Sequence, residues 1–143
     1  MQKKAVSFEY LNFIVDLLAD RVQTDYDYII GVGRGGLIPA TMLAYKLNKK
    51  VISFGVATYT GVVRDDAYVV YQRPDLLPKG GKYLVVDDIC DSGNTFKIFK
   101  QIFDTEANKF EFASLFVRDS SAQYVDYYGI SIANDAWLDF PWE

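Results

Sequence analysis

A chain of 143 residues, half of them hydrophobic and 16% aromatic, is long enough for one domain with a buried core and too apolar to be disordered. A net charge of −4 argues against a nucleic-acid polymer as the main partner, and no apolar run is long enough to span a bilayer. With no histidine and a single cysteine, Ser-His-Asp and Cys-His catalysis, His-ligated or Cys-rich zinc sites and internal disulfides are all excluded. Acid–base work therefore falls to Asp, Glu, Lys, Tyr or Cys, and any bound metal should be a hard, oxygen-liking ion such as Mg²⁺. The lone Cys90 fits a reducing cytoplasm. The basic residues 1–7 give way quickly to acids and polar residues, which predicts no signal peptide.

In chain order, Ser7 is placed to cap a first helix. Phe8, Leu11, Ile14, Val15, Leu18 and Val22 fall on it at helical spacing. The polar bend at 23–27 ends it, and residues 28–32 read as a short buried strand. Gly33-Arg34-Gly35-Gly36 follows, then a helix to about Asn48, with Pro39 in its first turn where a missing N–H costs nothing. Residues 31–36 match the G-x-G-x-x-G dinucleotide fingerprint, but no acid stands at the end of the next strand, 51–54, where that chemistry needs one. An Arg inside the turn instead suggests an anion held by side chain and amides together. The plain alternative is an ordinary Gly-rich strand-to-helix turn.

From Ala57 to Gly81 runs a long connection with a β-like patch at 68–71. Its length suits a lid, or a solvated hairpin with incidental arginines. Residues 82–86 form a central apolar strand that stops at Asp87-Asp88; Ile89-Cys90-Asp91-Ser92-Gly93-Asn94-Thr95 leads into a helix at 94–103. A further strand spans 110–117 and ends at Arg118. Residues 124–132 read as a last strand pair or irregular β segment, and the tail carries Trp137 and Trp142. Ligands of open α/β sheets sit at the carboxyl ends of strands, and a helix start offers free N–H groups to a phosphate. Acids beside such a cradle suit a ribose 5-phosphate.

The segment from Leu84 to Thr95 resembles the signature of the type I phosphoribosyltransferases: apolar strand, two acids, two residues, Asp, Ser or Thr, Gly, any residue, Thr. The tail Asp135-Ala136-Trp137-Leu138-Asp139-Phe140-Pro141-Trp142-Glu143 is similar to the C-terminus of the short microbial xanthine-guanine and hypoxanthine-guanine enzymes. The resemblance runs from about Tyr28 to Glu143. It implies an α/β fold with a mainly parallel central sheet, flanking helices, a flexible lid loop and a small C-terminal base-binding hood. It implies transfer of the 5-phosphoribosyl group from 5-phosphoribosyl 1-diphosphate to a 6-oxopurine in purine salvage, with Mg²⁺, in a cytoplasmic homodimer or homotetramer. Neither nucleic acid nor membrane is implied as a partner.

Residue by residue, the resemblance assigns Arg34 and Gly35 to the pyrophosphate, Asp87 and Asp88 to the ribose hydroxyls, and Asp88 to the metal. Ser92, Gly93, Asn94 and Thr95 go to the 5-phosphate, and Asp91 becomes the catalytic group near the base's N7. Thr58-Tyr59 resembles the opening of the family's mobile loop, from which Arg64 or Arg73 would reach the pyrophosphate. Arg118, Trp137 and Leu138 go to the base. Arg118 stands where the family usually has Lys, a planar fork in place of a point charge. Two other readings stay open: a non-catalytic nucleotide-sensing regulator on the same fold, and transfer to another base.

Overall fold

The computed structural model describes residues 3–59, 67–70, 81–103 and 108–143, with the backbone alone described at 55–59, 67–70 and 102. The elements are β1 (Lys3–Ala5), α1 (Phe8–Arg21), β2 (Tyr28–Gly33), α2 (Leu37–Leu47), β3 (Lys50–Tyr59), β4 (Ala67–Val70), β5 (Lys82–Cys90), α3 (Asn94–Phe103), β6 (Lys109–Arg118), β7 (Tyr127–Ile132) and β8 (Trp137–Asp139). A six-stranded sheet runs β4-β3-β2-β5-β6-β7, and a two-stranded sheet pairs β1 with β8. Every neighbour pair in the large sheet is parallel except β3 with β4.

The strand order places the site. From β2 the chain steps outward to β3 and β4; from β5 it steps the other way to β6 and β7. The two directions part between β2 and β5, the kind of switch point at which open α/β sheets hold ligands. Pairing of β2 with β5 stops at Gly31↔Val86, although both strands run on. Their ends splay, and a cleft opens between Gly33 and Asp87-Asp88.

Alternation along the buried strands feeds two cores. Ile29, Leu84, Val86, Ala113 and Leu115 meet Leu11, Ile14, Val15 and Leu18 of α1 and Ala40, Leu43 and Ala44 of α2 on one face. Ile30, Val32, Phe54, Tyr83, Val85 and Phe112 meet Phe96, Phe99 and Phe103 of α3 on the other. That second core is largely aromatic: Phe99 and Phe103 lie 4.4 Å apart by centroid, and Phe54 meets Phe103 edge-on at 5.1 Å. Each such buried side chain contributes roughly 1.5–3 kcal/mol, so α3 has a firm seat beneath the site.

Most element readings agree with the fold. Ser7 caps α1 by accepting from the Tyr10 amide at 3.0 Å, and Asn48 closes α2 in the left-handed conformation. Four readings change. Phe8 is 52% exposed rather than core-facing, and rests its ring against Trp142 at 6.3 Å. The strand expected at 51–54 continues to Tyr59, because β4 pairs with its second half from Val56↔Val70 to Tyr59↔Ala67. Thr58 and Tyr59 therefore lie in a strand, and the β-like patch is that strand's partner. Residues 124–132 hold one strand, preceded by a 3₁₀ turn over Asp119–Tyr124, not a pair. Strand β5 runs past the two acids to Cys90. The rest of the expected lid, 60–66 and 71–80, lies outside the described residues. No helix among the described residues is long and apolar enough to cross a membrane.

Candidate active site

A cavity of about 430 Å³ fills the cleft, lined by Arg34, Gly35, Asp87, Asp88, Asp91, Thr95, Arg118, Trp137 and Leu138 together with Val32, Gly33, Ile89, Phe140 and Glu143. Its walls come from the ends of β2, β5 and β6, from the first turn of α3 and from the tail. A side pocket of about 60 Å³ adjoins it around Ser92, Gly93, Asn94 and Thr95.

The loop after β2 turns tightly into α2. Gly36 N–H donates to Val32 O at 2.8 Å, and the Gly33–Arg34 peptide is cis. A side chain at Gly35 would meet the Asp88 carboxylate, with Oδ2 2.5 Å from its Cβ. The Gly35 backbone thus borders the second acid directly, while Arg34 stands exposed at the rim. Anion-binding loops combine these parts: free amides at a helix start and one flexible cation.

On β5 the ladder to β6 pairs Asp87 with Ser114 and resumes at Ile89↔Phe116, skipping Asp88. The acids occupy the amides there: Asp87 Oδ1 accepts from Asp88 N at 2.8 Å, and Asp88 Oδ1 from Ile89 N at 2.7 Å. No ion pair among the described residues compensates either carboxylate. Burial pushes the Asp87 carboxyl well above its ordinary range, and the neighbouring Asp88 charge pushes it further. Burial also raises Asp88, with Glu143 adding to the effect. An acidic dyad kept under this strain suits a ligand that brings hydroxyl donors or positive charge. Burial lifts the Cys90 thiol to about 11, helped by Asp87 and Asp91, which removes it from acid–base work at neutral pH.

Next comes the segment expected to cradle a phosphate. Ser92 Oγ accepts from the Asn94 amide at 3.2 Å, and the first helical bond of α3 runs from Lys97 N to Gly93 O at 3.0 Å. The early amides of α3 therefore open toward the side pocket. Gly93 holds φ +85°, and a Cβ there would lie 2.5 Å from Cδ2 of Tyr124. Lys97 sits over the same ring, 4.2 Å from its centroid.

The last part of the site is made at long range. Arg118, at the end of β6, donates from Nε to Asp91 Oδ1 at 2.6 Å. Its Nη1 donates to Ala133 O at 3.1 Å and Ala136 O at 2.5 Å. Ser121 of the 3₁₀ turn donates to the Asp91 carbonyl, and Ser120 N–H donates to Asn134 Oδ1 at 3.1 Å. Trp137 and Leu138 then enter β8, held to β1 in the register Lys3↔Trp137 and Lys4↔Leu138. Trp137 is 46% exposed and Leu138 is buried, so the indole overhangs the cavity while Leu138 anchors it.

Every predicted site residue within the described portion thus lies around this cavity or its side pocket. Arg64 and Arg73 lie outside the described residues. Sequence reasoning missed Val32, Gly33, Ile89, Phe140 and Glu143 as lining residues; the tail motif, ending in an acid, carried the signal for the last. It also missed strand β1, whose three residues are too short to show a periodicity.

A doubly wound sheet with acids, a cation and two helix starts meeting at its switch point defines a binder of phosphorylated sugars or nucleotides. The chain belongs to the phosphoribosyl transferase domain family, whose profile matches residues 9–143. It is similar to the xanthine-guanine phosphoribosyltransferase of Idiomarina loihiensis, 33% identical over 141 residues that span 96% of this chain and 85% of the relative. Among solved structures it is similar to a purine phosphoribosyltransferase from Pyrococcus horikoshii, with TM-score 0.81, 26% identity, and coverage of 100% of this chain and 95% of that one. It is likewise similar to a xanthine-guanine-hypoxanthine phosphoribosyltransferase from Helicobacter pylori, with TM-score 0.81, 26% identity, and coverage of 99% and 94%.

Proposed function

We propose that this chain, acting as a single domain, is a purine-salvage enzyme. It transfers the 5-phosphoribosyl group of 5-phosphoribosyl 1-diphosphate to a 6-oxopurine (hypoxanthine, guanine or xanthine). The products are a nucleoside 5′-monophosphate and pyrophosphate. The observation that carries this reading is the convergence of Asp87, Asp88 and Asp91 with the start of α3 and the Trp137-Leu138 hood around one cavity.

In the reaction the bond from C1′ to the pyrophosphate oxygen breaks, a bond from C1′ to a base ring nitrogen forms, and the base loses a proton. The sugar passes through an oxocarbenium-like state akin to that of glycosidases. Asp87 and Asp88 accept from the ribose hydroxyls, and their negative charge favours the cationic sugar. Arg34 and the Gly35 amide hold the departing pyrophosphate, and Ser92 to Thr95 hold the 5-phosphate on α3. Asp91, with one oxygen taken by Arg118 and its side chain 71% exposed, offers the other oxygen to the base proton.

Two strained, uncompensated carboxylates fit a hard divalent cation, with Asp88 the nearer to the pyrophosphate loop. Among the described residues no cluster of three or more metal-ligating side chains forms, so substrate oxygens would complete the shell. Mg²⁺, when bound, supplies charge neutralisation to the pyrophosphate. A cytoplasmic location and a homodimeric or homotetrameric state belong to the same proposal.

The test mixes pure protein with 5-phosphoribosyl 1-diphosphate, Mg²⁺ and each base in turn, and assays monophosphate and pyrophosphate. Product with oxopurines and not with adenine, uracil or orotate is expected. Absence of product with every base, alongside tight nucleotide binding, would sink the enzymatic reading.

A further inference from the structure

We infer that Arg118 is a positioning residue: it locks the Asp91 carboxylate to the 133–136 loop, so that the catalytic carboxylate and base-binding hood form one mechanical unit. This rests on the purine-transfer reading and adds to it a role beyond meeting the base. A lysine, the usual residue here in the enzymes this chain resembles, carries one ammonium and cannot satisfy acceptors on two sides in a fixed plane. The guanidinium is used otherwise. Its Nε holds Asp91, both acceptors on Nη1 are hood-loop carbonyls, and only Nη2 has no hydrogen-bond partner among the described residues.

An exposed ion pair contributes little by itself. Here the arginine side chain is only 13% exposed, and its three acceptors come from segments 27, 15 and 18 residues away in the chain. Asp91 is the exposed partner, so it gains most from being held. Among the described residues the hood loop has one other side-chain tether to this region, Ser120 N–H to Asn134 Oδ1; the adjacent Ser121 donates to the Asp91 carbonyl, so this second route ends on the Asp91 backbone and does not hold the carboxylate. Arg118 is therefore the side chain through which the hood holds the Asp91 carboxylate itself.

The experiment makes Arg118→Met and Arg118→Lys, each alone and combined with Asp91→Asn. It reads steady-state kinetics with an oxopurine and amide hydrogen exchange over residues 133–138. Arg118→Met should lower kcat by roughly 10- to 100-fold, the range for losing a charge-assisted hydrogen bond. It should lower kcat much less once Asp91 is already Asn, because the two act as a unit. Exchange over 133–138 should rise in both Arg118 variants, with Lys failing to restore protection. Fully multiplicative losses, or unchanged exchange, would overturn the brace and leave Arg118 as a base contact only. If the wild-type protein makes no monophosphate with any base, the purine-transfer reading fails instead, and the exchange arm still decides the brace.

Discussion

At the scale of single residues, the acids of the 87–91 segment are suited to different work because their surroundings differ. Asp91 is exposed and oriented by Arg118, which suits a group that moves a proton. Asp91→Asn keeps the hydrogen-bond acceptor and loses the base, so turnover should fall ~10²–10⁴-fold with the unfolding midpoint unchanged; near-normal turnover would remove Asp91 from the chemistry. Asp87 is strained. Its carboxyl titrates near 3.8 when the chain is unfolded and well above that when folded, chiefly through burial. Across that window the folded state binds the extra proton, so this group's contribution to stability falls as pH rises through it. Below the unfolded value both states are protonated and the penalty vanishes. Asp87→Asn retains the acceptor for the Asp88 amide, so it should melt higher than wild type at pH 8. The gain should shrink toward pH 4. Thermal unfolding across pH reads both, and a variant less stable at pH 8 would contradict the assigned strain.

At the scale of elements, legibility tracked how local the determining interactions are. The β5–α3 motif could be read because an apolar run, its acids and a helix start adjoin in sequence. The helices could be read from spacing, with Ser7 opening α1 and Asn48 closing α2. Phe8 misled because helical spacing marks a stripe without marking its edge, and only the tail decides what covers that edge. The far half of β3 was hidden because only pairing with β4, which begins further along at Ala67, makes it a strand. Arg118 could be read as a site candidate at a strand end, and it does line the cavity, but its bond to Asp91 joins positions 27 apart and left no pattern. The approach of α2 to the sheet is an element-scale property with its own test. A Cβ at Gly36 would meet Val86 O, would lie 2.8 Å from Val32 O, and would lie 3.0 Å from the Asp87 Cα. All three are backbone atoms, so the strands must part. Gly36→Ala should destabilise by about 1–3 kcal/mol, read as a lower urea midpoint, and should raise KM for 5-phosphoribosyl 1-diphosphate by widening the cleft.

At the scale of the whole molecule, the two ends of the described chain meet over the site. Strand β1 has no place in the six-stranded sheet; it pairs in parallel with β8, from Lys3↔Trp137 to Ala5↔Asp139, and Val6 N–H continues the contact to Asp139 O at 2.9 Å. The hood is therefore held from two directions, by β1 beyond Trp137 and by Arg118 before it. The β1 tether does not touch the side pocket at the start of α3, which rests on the aromatic core beneath that helix. Loosening β1 should thus separate the two substrates. Lys4→Pro removes an amide and fixes φ in the middle of a three-residue strand, while the large sheet and the aromatic core beneath α3 contain no residue of β1 or β8. The expected outcome is a several-fold rise in KM for the base with KM for 5-phosphoribosyl 1-diphosphate unchanged and the melting temperature nearly so. Equal rises in both constants would mean that the hood and the phosphate cradle are not independent, and that β1 supports the molecule rather than the base pocket.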